Sequence, residues 1–420
     1  MTSFHRIGSA NMYDSALRNL SARQKTVADL QENLTAGKRV VRPSDDPVAA
    51  AQAERAMTRI SRIQSEQRAL DVQRGSMAQA ESTLGDAISL VQNMRQLVIG
   101  AGNGTLKPED RKTFANQLQS LREQFTEVIN RKDTNGMPLL GALGSALQAF
   151  AGPLLANPDY EFNGLPGQNA STGSNIATML DGHATLMFDP VRDGIYSAGV
   201  TPAPGSSLVT SAISTSNRQT LDGASYELEV NGVTIDNATG TTSITYTLTK
   251  TDRAGVVTVM PPVTTAPVIT GQPISIAIQE GADTVMNFNL NGTPATGDRV
   301  NIRPSASMMS TLDEAIQGIS HAPNTTAAAQ VVGQALANID AGLERMHNMR
   351  GYAGELLNRA DRISSDQGNR SIQLEADRSR AEDLDMIEGI SNFQNANVGY
   401  QAALQSYAQV QRMSLFDYLR

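Results

Sequence analysis

The sequence predicts a mainly α protein with an inserted β-rich domain, its long antiparallel helical bundle or coiled coil being formed by the N- and C-terminal segments. Three observations predict it. Residues 10–131 and 325–413 are rich in Ala, Leu, Gln, Arg and Glu with apolar residues at helical spacing, whereas 151–304 is rich in Gly, Thr, Pro, Asn and Val in short alternating runs. Tryptophan is absent and aromatic residues make up 4% of the chain, thin for an enzyme core but ordinary for long paired helices. At 420 residues the chain also exceeds what one compact core organises.

The first helical segment carries a seam of Tyr13, Leu17, Leu20, Gln24, Val27, Gln31 and Leu34, alternating steps of four and three as a heptad stripe requires. Gly37 supplies a stop, and Asp46 followed by Pro47 has the form of an N-cap and first helical residue. The next stripe runs Ala56, Ile60, Ile63, Gln67, Leu70, Arg74, Met77, Glu81, Leu84, Ile88, Val91 and Val98. A helix over 47–99 would be roughly 80 Å long, which suits rod-like packing. The glycines around Asn103 break it, Pro108-Glu109-Asp110 restarts with acids on the positive end of the helix dipole, and a third helix through Phe114, Leu118, Leu121, Phe125 and Val128 should fold back antiparallel.

Five strands are expected in the middle block, at 226–230, 243–249, 256–259, 274–278 and 285–290, with Asn231-Gly232 and Asn291-Gly292 as hairpin turns. Beyond it, Val332, Leu336, Ile339, Leu343, Met346, Ala353, Leu357 and Ala360 mark a long helix whose glycines 333, 342, 351 and 354 imply close approach to a neighbour. Gly368-Asn369 should weaken it, and Ser379-Arg380-Ala381-Glu382 has the form of a capping box opening another helix. The last seam runs Met386, Ile390, Phe393, Asn397, Tyr400, Leu404, Tyr407 and Gln411, with polar Asn397 and Gln411 at positions that set register in a coiled coil.

Net charge is −8 and the basic residues are scattered, so the sequence offers no footprint for nucleic acid or an anionic membrane, and protein partners are expected. Cysteine is absent and the four histidines, His5, His183, His321 and His347, have no second ligand at metal spacing; neither metal nor cofactor is expected. Asp45-Asp46 reads as a cap and turn, and Asp133-Thr134-Asn135-Gly136, which starts like a calcium loop, reads as a plain turn because the later glycine and glutamate are missing. No nucleophile-elbow, phosphate-loop or dinucleotide fingerprint occurs, so no catalytic residue is expected and the chain does not read as an enzyme. No stretch has the apolar length of a membrane span and the first residues lack a secretory-signal pattern, which on those criteria alone reads as cytoplasmic.

An apolar seam on an ordinary bundle helix is core, as expected for 47–131 with 325–376. The outermost arms differ, because 10–34 and 386–413 each carry one narrow seam with little else to bury it, and such helices gain order chiefly by pairing. The assembly residues are therefore Tyr13, Leu17, Leu20, Val27 and Leu34 on one arm, and Ile390, Phe393, Asn397, Tyr400, Leu404 and Tyr407 on the other.

These segments resemble a known family. Leu34-Thr35-Ala36-Gly37-Lys38-Arg39-Val40 followed by Pro43-Ser44-Asp45-Asp46-Pro47 resembles the signature after the first helix of flagellin-like axial proteins. Its Ser-Asp-Asp-Pro form, with Met12 to Leu20, Glu382-Asp383-Leu384-Asp385-Met386 and Ser414-Leu415-Phe416-Asp417-Tyr418-Leu419, is similar to the hook–filament junction branch. Two stretches depart from the pattern: Arg6-Ile7 follows five additional residues, and Met137-Pro138-Leu139-Leu140-Gly141 replaces an aromatic-rich exit from the third helix. The resemblance implies a structural subunit of the bacterial flagellum, exported through the flagellar type III channel without a cleaved signal and therefore extracellular. It further implies docking on the first hook-associated protein, on flagellin and on copies of itself, with an export chaperone holding the C-terminal arm beforehand. On this reading 1–45 with 380–420 forms an inner layer, 46–140 with 305–379 a helical bundle, and 151–304 the inserted outer domain. Flagellin itself is the nearest alternative, and a coiled-coil adaptor or sensory protein a remote one.

Overall fold

A computed structural model describes residues 9–154, 159–216, 220–281, 283–322 and 324–418, with side chains from Asp14 to Gln409 within those ranges. The departure at Arg6-Ile7 lies outside them. The fold divides into two compact units, one built from the chain up to Ala69 and from Ile363 onward, the other from Leu70 to Arg362.

The first unit holds helix α1 (Ser9–Ala36), the start of α2 (Pro47–Ala101), the end of α7 (Thr325–Glu382) and all of α8 (Met386–Tyr418). Gly37 ends α1 in the left-handed region at φ 67°, where a side chain would be strained. Asp46 opens α2 by accepting the backbone N–H groups of Val48 at 3.2 Å and Ala49 at 3.0 Å. Val40, Ala49, Ala53 and Ala381 form a small buried core here, of residues short enough for two helices and a loop to meet.

In the second unit α3 (Pro108–Ile129) runs back along α2, bringing Phe114 against Gly100, pairing Arg131 with Asp86, and receiving Gln79 Nε2 on the Lys132 carbonyl at 3.3 Å. Here α7 lies antiparallel to α2, cross-linked by Arg95–Asp340 at 2.6 Å, Arg350–Glu81 at 2.6 Å and Arg74–Asp361 at 3.1 Å. The α2 stripe from Leu70 through Met77, Leu84, Ile88, Val91 and Val98 is buried, as are Leu118 and Phe125 of α3 and Ile339, Met346 and Ala360 of α7. Against α3 packs α6 (Met308–His321), capped by Ser307 Oγ accepting from Ser310 N at 3.0 Å.

Short pieces lead from α3 into the insert: β1 (Phe150–Ala151) paired with β2 (Glu161–Phe162), then α4 (Gly182–Leu186) and α5 (Pro190–Asp193). Two antiparallel sheets follow. In the larger, β3 (Tyr196–Thr201), β6 (Ser225–Asp236), β7 (Thr241–Thr251), β8 (Val257–Val259), β9 (Val263–Thr264), β10 (Val268–Ile269) and β13 (Arg299–Pro304) are ordered β10-β7-β6-β13-β3, with β8 and β9 also on β7. The smaller joins β4 (Val209–Thr210), β5 (Ser214–Thr215), β11 (Ile274–Glu280) and β12 (Asp283–Asn291). Alternate residues of both, among them Leu228, Val230, Ile244, Leu248, Ile276, Ile278, Phe288 and Val300, meet in one apolar core, which makes the insert a β-sandwich. It is docked on α7 by a row of buried amides: Gln334 Oε1 accepts from Ile213 N at 2.9 Å and its Nε2 donates to Tyr196 O at 2.8 Å, while Asn338 Nδ2 reaches the same carbonyl at 3.4 Å.

Four sequence expectations are corrected. Asn231-Gly232 is a register shift within the β6–β7 ladder, and the reversal comes between Asp236 and Thr241. Gly292 turns at φ 96°, but a longer connection reaches β13. Helix α7 passes unbroken through Gly368-Asn369 and Ser379 to Glu382, and α8 is capped instead by Asp385, whose Oδ1 accepts from Ile387 N at 2.9 Å and Glu388 N at 3.2 Å. Of the α7 glycines only Gly342 makes a close approach, to Met308 and Phe188; Gly333, Gly351 and Gly354 face open space.

Candidate assembly interface

The two terminal arms meet. Helix α8 lies antiparallel along α1, so that Gly389 sits beside Leu34 and Gly399 beside Arg23. A Cβ at Gly389 would stand 3.2 Å from Leu34 Cδ2, so this glycine lets the arms approach closely, whereas one at Gly399 would meet only the movable guanidinium of Arg23 at 2.7 Å.

The link between arms and bundle is an elbow built from residues far apart in sequence. Arg39 N and Val40 N donate to the Glu382 carbonyl at 2.8 and 3.3 Å, and Leu384 N returns a bond to Gly37 O at 3.0 Å. Lys38 pairs with the Glu382 carboxylate, and Arg39 reaches Ala381 O at 2.9 Å and Asp46 at 3.3 Å. The Ala49 backbone N–H, against the opposing effect of desolvation and with further help from Arg39 and the Val48 N–H, holds the Asp46 carboxyl below the usual carboxylate range. The sequence reading found the motifs that supply these residues but not this role, because nothing local links Lys38 to Glu382.

The seam residues divide between half-buried and exposed. Leu20, Val27 and Leu34 of α1 and Phe393, Asn397, Tyr400 and Tyr407 of α8 are half-buried, whereas Leu17, Ile390 and Leu404 keep 36%, 45% and 40% of their surface. The Tyr13 and Gln411 side chains lie outside the described residues. None of the described seam residues reaches the burial of the α2 stripe, because each arm has one neighbour to cover one flank of a cylinder. The arms thus present partly exposed apolar edges.

Groups with strongly shifted acidity lie elsewhere. Burial pushes the Tyr160, Tyr196 and Tyr226 hydroxyls up, and burial raises Glu314 despite Arg303 and Ser197 beside it. Tyr160 belongs with Asp313 and Arg122, and Glu314 with Arg303 and Ser197, whereas Tyr196 and Tyr226 share the surroundings of Asp222 and Glu280. Asp133 closes a local turn by accepting from Asn135 N at 2.8 Å and Met137 N at 2.9 Å. Among the described residues no cluster of three potential ligands could hold a metal ion, and no helix is long and apolar enough to cross a membrane.

The arms and elbow coincide with two family models, the bacterial flagellin N-terminal helical region over residues 7–143 and the bacterial flagellin C-terminal helical region over 336–419, together just over half the chain. The chain belongs to the bacterial flagellin family. Within this family it is similar to flagellar hook-associated protein 3 of Escherichia coli, 28% identical over 213 residues that cover 49% of this chain and 62% of that protein. It is also similar to the Salmonella typhimurium protein of the same name, 35% identical over 135 residues covering 31% of this chain and 41% of that one. The chain therefore matches less than two thirds of the length of either relative. A hook-associated protein 3 structure from Legionella pneumophila shares the fold, with a TM-score of 0.58 at 22% identity over 77% of this chain and 97% of that one.

Proposed function

We propose that this flagellin-family chain is a non-enzymatic hook–filament junction subunit, which assembles on the hook-associated ring and adapts the hook to the filament. The observation that carries the reading is the pairing of α1 with α8: two arms from opposite ends of the chain form a helix pair whose apolar edges stay partly wet. In this reading the arms, 1–45 with 380–420, form the inner layer of a multi-copy tube. The bundle, 46–140 with 305–379, surrounds them, and 151–304 projects outward. Tyr13, Leu17, Leu20, Val27 and Leu34 pair with Ile390, Phe393, Asn397, Tyr400, Leu404 and Tyr407 and then with neighbouring copies. The flanking partners are the first hook-associated protein on one side and flagellin on the other, and an export chaperone covers the C-terminal arm before secretion to the cell exterior.

The test is complementation. Expressed in a flagellated bacterium lacking its own junction subunit, the full chain should restore attached filaments, and without it flagellin should be shed into the medium. Purified chain that instead polymerised alone into long filaments would make it a flagellin and overturn the junction reading.

A further inference from the structure

Beside the elbow, in the first unit, lies a groove of about 560 Å³ with an unusual rim. Ala49, Ala56, Leu374 and Ala381 supply apolar lining, and Arg39, Arg55, Arg59 and Arg380 stand around it. Asp46 and Asp377 pair with Arg39 at 3.3 Å and Arg380 at 2.5 Å. Four arginines against two aspartates leave the rim at +2, and Arg55 and Arg59 are exposed and form no ion pair among the described residues. Val48, at the mouth, keeps 67% of its surface exposed.

The same unit carries the complementary pattern. In Asp383-Leu384-Asp385-Met386-Ile387-Glu388, all three carboxylates are exposed; none makes a direct ion pair among the described residues, Asp383 feeling only the charge of Arg378 nearby, and Asp385 caps α8. Among them Ile387 keeps 85% of its surface, an exposed apolar knob in an acidic segment. Groove and knob both adjoin the elbow yet are formed by different residues, so a contact between the groove of one copy and the knob of another would be heterologous, head to tail.

We propose that the arginine-rimmed groove of one copy receives the acidic segment 383–388 of the next, with Ile387 seated against Val48 and the alanine floor and Asp383 and Glu388 facing Arg55 and Arg59. This deepens the junction reading and rests on it. Exposed apolar surface at the centre and opposite charge at the rim match the anatomy of a specific protein interface.

The chain contains no cysteine, so introduced pairs report unambiguously. Gln52→Cys, in the groove wall, is combined with Ser391→Cys, one turn beyond the acidic segment, and the concentrated full chain is oxidised and run without reductant. A ladder of trimers and larger species is expected. Adding Arg55→Glu and Arg59→Glu should reduce it about tenfold or more through like-charge contact. Adding Asp383→Lys and Glu388→Lys to that same chain should restore it, and circular dichroism controls for folding. Absence of a ladder, or products limited to dimers, overturns the head-to-tail contact. A ladder indifferent to the arginine reversal overturns the groove, and loss without rescue overturns the acidic segment as its occupant. The complementation assay separates the two levels: a cysteine-free arginine-reversed chain that restores junctions as well as wild type sinks this contact alone, whereas a wild-type chain that restores none removes the reading beneath it.

Discussion

Proline at Leu404 is the sharpest perturbation of the arms. The position lies in mid α8, about 18 residues beyond the helix start, with 40% of the side chain exposed and the rest against its surroundings. A proline there deletes one helical hydrogen bond and drives its ring into the carbonyl four residues back, at about 3 kcal/mol. A half-buried seam residue contributes about 1 kcal/mol, half the value of a fully buried aliphatic side chain. One proline therefore cancels about three seam contacts in a pair that has few to lose. The opening equilibrium of α1 and α8 should shift roughly a hundredfold. Hydrogen exchange on the purified chain checks this: amides of 393–407 should exchange about a hundredfold faster, while β6 and β7 are unchanged, and the variant should fail to restore junctions. Leu404→Ala provides a graded companion, at about 1 kcal/mol. Normal incorporation of the proline variant, or wild-type amides in 386–413 as protected as the buried stripe of α2, would refute the idea that the arms are completed only by assembly.

Two further predictions concern the elbow and the insert. Asp46 has its acidity strengthened in the fold, so its cap is fully present above the ordinary carboxylate value near 3.8 and is lost as pH falls through the lower folded-state value. Acid below about pH 4 should therefore loosen the Val48 and Ala49 amides, and Asp46→Asn, which caps without titrating, should abolish that pH dependence in an NMR titration. Gln334→Leu should destabilise the second unit by about 1 kcal/mol, because the part-buried Ile213 N–H loses its acceptor; urea unfolding followed by tyrosine fluorescence would contradict this if the midpoint did not move.

Helix α2 was legible because each apolar residue of its stripe from Leu70 onward answers to the same buried side, so periodicity and packing agree. Strands such as Ile274–Glu280 were legible for the same reason at period two, burying Ile274, Ile276 and Ile278. Ser379-Arg380-Ala381-Glu382 misled because a capping pattern competes with helix propagation, and here the end of α7 is fixed by backbone bonds from Arg39 and Val40, more than 300 residues away. Asn231-Gly232 misled because a glycine that permits a turn also permits a bulge. The arm seams were readable as seams, but how far they are covered depends on a neighbour that periodicity does not name. The charge pattern around Arg55 and Arg59 arises only when α2, α7 and the elbow come together, so no linear motif announced it.

The amide row that seats the sandwich on α7 has a mechanical corollary. Gln330, Gln334 and Asn338 recur every four residues, one per helical turn, each bonded to a particular atom of the insert or of its neighbour in the row. Oily contact tolerates a small slip under load, but here a partial slide breaks the bonds to Thr210, Tyr196 and Ile213 together, and the next place where carboxamides could catch lies a full turn away, about 5.4 Å. The seat therefore behaves as a ratchet tooth: it resists gradual creep when force is applied to the insert, and yields, if at all, in whole notches.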